Sequence, residues 1–151
     1  MSQIRRAQPE EAQLLTDIFW RSKAYWGYDA AFMQRIMGNM CIKQEQIVNE
    51  WVYVIEDAAG QVAGFYQLCR ADHGLHLEDL FIEPEAIGKG YGRQLFDHAV
   101  ELARELGYNR FTLESDPNAE NFYLKMGCVR TGQHESLIPG RYIPHMEYHL
   151  K

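Results

Sequence analysis

Three glycines at alternate positions stand where a strand-like run gives way to a long helical pattern, in Ile87-Gly88-Lys89-Gly90-Tyr91-Gly92-Arg93. Glycine in a helix interior costs about 1 kcal/mol relative to alanine, so glycines at or inside a first helical turn imply something that requires bare backbone there. Free N–H groups and the positive end of the helix dipole make such a turn an anion site, and the missing Cβ atoms admit a pyrophosphate. Lys89 and Arg93 add charge at its rim. A loop whose glycines merely permit a tight bend is the alternative on spacing alone. A dinucleotide fingerprint and a P-loop fit less well: the run is G-x-G-x-G, no acid follows at the expected distance after a second parallel strand, and Lys89 precedes glycine rather than Ser or Thr.

The strand-like run ahead of the turn carries the residues able to move protons. Strict alternation puts His76, Glu78, Leu80 and Ile82 on one face and Leu77, Asp79 and Phe81 on the other. A histidine with an ordinary pKa of about 6.5 suits proton shuttling. His76, His73 in the preceding turn and Glu78 also read as ordinary solvated side chains.

These residues need a scaffold, and the sequence supplies one. Residues Ile4 to Ala7 read as a strand. Pro9-Glu10-Glu11 then opens a helix reaching about Tyr25, with proline near its first turn and acids at the positive dipole end. Leu14, Leu15, Ile18 and Phe19 recur along it at helical spacing. A second helical pattern follows a break near Gly27. Trp51 to Glu56, Val62 to Arg70 and Leu75 to Glu83 read as an antiparallel meander, separated by turn residues. Leu95, Ala99, Leu102 and Leu106 form one helical stripe, with Gly107 placed as a C-terminal cap. Phe111 to Glu114 is a strand, Pro117 to Met126 a helix ended by Gly127, and Val129 to His134 and Tyr142 to Leu150 are two final strands. The order β-α-α-β-β-β-α-β-α-β-β describes an α+β fold with a mixed, mostly antiparallel central sheet flanked by about four helices.

The 151 residues, 46% of them hydrophobic, suit a single domain spanning 1–151. The formal net charge is −6 and the Lys and Arg residues are scattered, so nucleic acid is an unsuitable partner and cationic substrates are weakly favoured. No stretch approaches the ~18 apolar residues of a membrane span, and no apolar leader opens the chain. Cys41, Cys69 and Cys128 have no metal-binding spacing and read as reduced thiols, which fits a cytoplasmic protein without a metal.

Two blocks, in order, resemble the GNAT superfamily of N-acetyltransferases. The stretch from Leu77-Glu78-Asp79-Leu80-Phe81-Ile82 to Gly92-Arg93-Gln94-Leu95 is similar to the family's coenzyme motif, Gln/Arg-x-x-Gly-x-Gly/Ala. Ile87 stands at the Gln/Arg position, and Gly90 and Gly92 are the two glycines. Ile87 has no side-chain donor, so only its backbone carries over. Ala119-Glu120-Asn121-Phe122-Tyr123 through Gly127-Cys128 resembles A-x-x-F-Y-x-x-x-G-F, with Cys128 for the usual Phe. Asp116 stands where many members have an Asn that touches the coenzyme, leaving Asn118 or Asn121 to replace it. The element order also follows the family along the whole chain.

The resemblance implies an enzyme that moves acetyl from acetyl-CoA directly to a primary amine, on a small molecule or a peptide. Pyrophosphate would lie on the backbone of Ile87, Gly88, Lys89, Gly90, Tyr91, Gly92 and Arg93, and the thioester carbonyl against backbone N–H groups of Leu80, Phe81 or Ile82. Glu78 is the first candidate for general base, directly or through water, followed by His76. Tyr123 matches the family tyrosine near the coenzyme sulfur and is the candidate general acid. The acceptor pocket would be bordered by Trp20, Tyr25, Trp26 and Tyr28, with Arg21 and Lys23 among them, and by Arg141-Tyr142 on the last hairpin. Arg21 or Arg141 would be available to a substrate carboxylate. Core packing or a homodimer face accounts for these aromatics equally well. A packed thiol is the reading for Cys128. A non-catalytic acyl-CoA sensor is the rival to the enzyme.

Overall fold

The computed structural model describes residues 1–150, with the side chain of Ile36 outside that description. Its elements are β1 (Gln3–Arg6), α1 (Ala12–Tyr25), α2 (Ala30–Met37), α3 (Gln44–Asn49), β2 (Trp51–Glu56), β3 (Val62–Ala71), β4 (Gly74–Ile82), α4 (Tyr91–Glu105), β5 (Arg110–Glu114), α5 (Glu120–Lys125), β6 (Val129–Glu135) and β7 (Tyr142–His149). The expected α+β order is present with one helix more. The extra helix, α3, has six residues, too short to display a hydrophobic period. Among the described residues no helix is long and apolar enough to cross a membrane.

The strands form one seven-stranded sheet in the order β1-β2-β3-β4-β5-β7-β6. All neighbours are antiparallel except β4 and β5. That exception follows from the helix between them, since a parallel pair needs a crossover connection. Successive residues of one strand feed opposite faces. Ile55 and Tyr66 join the core under α4, whereas Val54 and Phe65 join a second core under α1. Leu95, Phe96, Ala99, Val100 and Ala103 form the buried stripe of α4. The helix ends in a paired cap, with Gly107 N–H donating to Arg104 C=O at 3.0 Å and Tyr108 N–H to Ala103 C=O at 3.0 Å. Gly107 has φ +87°, the left-handed conformation that this cap requires.

Strand β4 departs from strict alternation. Gln67 pairs with Asp79 but Leu68 pairs with Leu77, so Glu78 is an inserted residue without its own partner on β3. Such a bulge shifts the side-chain parity beyond it. Leu75 and Leu77 before it, and Leu80 and Ile82 after it, therefore all pack towards the α4 core, while Phe81 packs towards the α1 core. The expected grouping of Glu78, Leu80 and Ile82 with His76 is thus incorrect: the bulge puts Leu80 and Ile82 on the face of Leu77, and Asp79 and Phe81 on the α1 face.

Candidate active site

Strands β4 and β5 pair only from Leu75–Leu77 to Phe111–Leu113, yet β4 continues to Ile82 and β5 to Glu114. From Glu78 onward the edge of β4 that faces β5 has no ladder partner. Strand β5 turns away, with Ser115 N–H donating to Pro144 C=O at 2.9 Å. The parted strands open a cleft of about 630 Å³. Its floor is Leu77 to Ile82; one wall is Asp116, Ala119, Phe122 and Tyr123, and the other is Phe19, Lys23 and Trp26. It reaches Ile87 and Gly92 at the start of α4.

The glycine turn has the geometry of an anion cradle. Gly88 and Gly90 have φ of +87° and +85°, and a Cβ at either would meet nothing within 4 Å. Left-handed backbone, rather than crowding, requires glycine there. Gly90 caps α4 with no side-chain hydrogen bond, so the first-turn N–H groups are free for a ligand. Gly92 has a different reason. A Cβ there would come within 3.2 and 3.3 Å of the Phe122 ring, so α4 and α5 meet closely because Gly92 is bare. These features fit a coenzyme whose pyrophosphate rests on backbone.

The structure gathers Glu78, Leu80, Phe81, Ile82, Ile87, Gly92, Asn118 and Tyr123 around the cleft. Gly88, Lys89, Gly90, Tyr91, Arg93 and Asn121 are not on its wall; Lys89 and Tyr91 border a separate hollow with Glu83 and Glu85. Tyr123 is buried, at 7% exposure. Burial raises its hydroxyl pKa, and the nearby Cys128, Asp79 and Asp116 add to the rise. A phenol so held stays protonated. Its hydroxyl makes no hydrogen bond to another described residue, leaving the proton available inside the cleft. Cys128 is buried and its thiol is pushed up to about 12 by burial, which fits a packed thiol.

The base candidates separate in space. Glu78 is half exposed, and its carboxylate stands 3.6 Å from His76 Nε2. His76 does not line the cleft. Its Nδ1 meets the Thr112 hydroxyl at 2.7 Å, as does Nε2 of His73, and burial lowers its pKa. Arg21, expected to stand available to a substrate carboxylate, pairs with Glu83 through two bonds of 2.9 and 2.7 Å. Trp20 donates to Met40 C=O at 3.0 Å, Trp26 lines the cleft, and Tyr25 and Tyr142 are exposed.

Two buried carboxylates absent from the expected site dominate its electrostatics. Asp116 accepts from Lys23 Nζ at 2.9 Å, Tyr28 Oη at 3.2 Å, the Asn118 backbone N–H at 2.9 Å and side-chain amide at 3.0 Å, and Arg141 at 3.5 Å. Burial works to raise its pKa, but Lys23 and the hydrogen bonds prevail and the net direction is down. Asn118 also donates to Tyr28 Oη at 2.8 Å, so this network engages the amide expected on the coenzyme. Asp79 is 5% exposed, lines the cleft and leaves Oδ2 without a partner. Burial first, then Glu78, push its carboxyl up to about 7, against a downward pull from Lys23. Two sequence signals pointed here: an Asp within an otherwise apolar strand end, and Lys23, four residues after Phe19 on the buried stripe of α1.

The fold recurs in solved N-acetyltransferases. The chain superposes on the PaiA N-acetyltransferase of Thermoplasma acidophilum, solved with coenzyme A, at a TM-score of 0.82, with 19% identity and 99% of both chains covered. The TM-score is 0.73 against YncA of Salmonella typhimurium, solved with acetyl-CoA, at 22% identity over 100% of this chain and 95% of that one. Identities this low establish the fold. Residues 8–150 match the family described as Acetyltransferase (GNAT) domain, and the chain belongs to that family of N-acetyltransferases. The peptidyl-lysine N-acetyltransferase YjaB of Escherichia coli (strain K12) is 34% identical over 133 residues, covering 87% of this chain and 85% of the relative. Its Salmonella typhimurium namesake is 32% identical over 142 residues, covering 89% and 88%.

Proposed function

We propose that this N-acetyltransferase moves acetyl from acetyl-CoA directly to the side-chain amine of a lysine, in a ternary complex. The observation that carries this reading is the cleft itself, which runs from the unpaired edge of β4, past Tyr123, to the uncapped start of α4. Acetyl-CoA would supply a thioester carbonyl able to accept from backbone N–H groups of Leu80, Phe81 or Ile82, with its pyrophosphate on the Ile87 to Arg93 turn. Tyr123 is suited to protonate the leaving thiolate. At pH 7 a lysine amine with a pKa of about 10.4 is neutral in roughly one molecule per few thousand, so a base must take its proton; Glu78, on the bulge in the cleft, is one candidate. Glu78, Asp79, Glu114 and Asp116 make the wall predominantly acidic around the single lysine, Lys23, which favours a cationic acceptor. The name of the YjaB relatives supports a peptide lysine over a small amine.

Thiol release from acetyl-CoA, measured with lysine peptides and a panel of small amines, tests the reading. Turnover with peptides above the panel is expected. Tight coenzyme binding without turnover on any amine would overturn transfer in favour of an acyl-CoA sensor, and turnover confined to small amines would overturn the peptide acceptor.

A further inference from the structure

Among the carboxylates on the cleft wall, Asp79 alone combines near-complete burial with an unsatisfied oxygen. It is 5% exposed and its Oδ2 has no hydrogen-bond partner. Its cross-strand partner Gln67 is 3% exposed and leaves Oε1 unpartnered as well. Residues opposite each other in an antiparallel pair share a face, so Asp79 Oδ2 and Gln67 Oε1 are two unpartnered oxygens on the α1 face of the sheet. A buried acceptor left unpaired is costly, and more so when it is charged, and a ligand rich in N–H relieves that cost.

The charged and titratable surroundings point the same way. Glu78 adjoins Asp79 on β4, Lys23 faces it from α1, and Tyr123 faces it from α5. Lys23 is held by Asp116 at 2.9 Å, and among the described residues no cation lies within 4.0 Å of Asp79. The bulge at Glu78 is what brings Asp79 onto the α1 face beside Phe81. Without it Asp79 and Phe81 would both share the α4 face with Leu77, and Glu78 would take the α1 face.

We infer that Asp79 is the catalytic base: it receives the acceptor's ammonium in the parted end of β4 and removes its proton. This role rests on the transfer reading above. The ammonium gives one proton to the Asp79 carboxylate, and the freed nitrogen lone pair attacks the thioester carbonyl carbon. The C–N bond forms and the C–S bond breaks. The thiolate takes a proton from Tyr123, and the second proton lost by the nitrogen as the amide forms restores the Tyr123 phenol. One proton per turnover leaves by way of Asp79, with the half-exposed Glu78 next to it as the exit to solvent.

Asp79→Asn keeps shape and removes the base. With a lysine peptide it should lower kcat/KM by about 10²- to 10⁴-fold, with coenzyme affinity by calorimetry within about twofold of wild type, which also reports an intact fold. The wild-type kcat/KM should rise with pH through an apparent pKa of about 7, a limb that Asp79→Asn loses and Asp79→Glu partly restores. An Asn variant with wild-type rate and profile, or a wild-type profile flat between pH 6 and about 8, would overturn the assignment. So would a larger loss in Glu78→Gln than in Asp79→Asn. Absence of turnover in the wild type itself would overturn the transfer reading and Asp79's role together, whereas wild-type turnover beside an unimpaired Asn variant would overturn only the latter.

Discussion

Asp79 near the end of β4 and Asp116 just past the end of β5 flank the same cleft, and both carboxylates are buried. Their environments are opposite. Asp116 accepts from Lys23, Tyr28, Asn118 and Arg141, which ties α1, the segment after it and the turn before β7 to the β5 end. Asp79 has a bare oxygen and no ion pair. One carboxyl is held below its ordinary range and the other is raised to about 7. The contrast separates two uses of a buried acid: Asp116 is saturated with donors and serves as a pin, while Asp79 is kept short of donors and so stays exchangeable near neutral pH.

The largest effect should come from removing the pin. Asp116→Ala leaves Lys23 and Arg141 buried without their counter-charge and should destabilise the protein by about 3–5 kcal/mol, read as a lower urea midpoint. If the variant unfolds within about 1 kcal/mol of wild type, the network is not a pin and the contrast fails.

Asp79→Asn should act in the other direction. A rise from 3.8 to about 7 corresponds, at 1.36 kcal/mol per tenfold in proton affinity, to about 4 kcal/mol. The folded state binds this proton more tightly than the unfolded one, so stability from this group falls as pH rises from about 4 to about 7. Above pH 7 the whole penalty is present. Asp79→Asn should therefore be more stable than wild type by about 2–4 kcal/mol at pH 8, allowing for the amide's own burial, and equally stable at about pH 4. Asp116, whose pKa is lowered, has the opposite sign. Its contribution is present above the ordinary carboxylate range and is lost as pH falls through its folded value. Urea unfolding at the two pH values reads the Asp79 effect, and a further series well below pH 3.8 reads that of Asp116.

Smaller effects sharpen the role of the wall between them. Tyr123→Phe should lower kcat about 10- to 100-fold with coenzyme affinity nearly unchanged, and wild-type turnover would remove the phenol from the reaction. Gly92→Ala gains up to about 1 kcal/mol of helix propensity but pushes on the Phe122 ring at 3.2 Å. Stability should change by less than about 1 kcal/mol, while coenzyme affinity should fall a few-fold by calorimetry because that ring lines the cleft.

Much of the scaffold was legible because it is written in local periods. The 3.6-residue stripe and terminal glycine gave α4 and its cap, alternating runs gave β2 to β4, and the bare-backbone requirement gave the turn at Gly88, Gly90 and Gly92. Tyr123 was legible as a site residue through its motif. Helix α3 was not, since only Ile47 in it is buried. Asp79 was not legible as a cleft residue, because alternation extended through β4 has no means of registering an inserted residue. Asp116 was read as a substitution at a coenzyme contact. Its partners Lys23 and Arg141 lie 93 and 25 residues away, and no local pattern carries that information.

The sequence by itself determined the order of elements, the glycine turn and the family resemblance, since each depends on spacing within a few residues or on motifs in a fixed order. Tertiary structure alone decided which carboxylate is paired and which is bare. A bulge exists only relative to a partner strand, and a buried acid's protonation follows from which distant donors the fold brings to it.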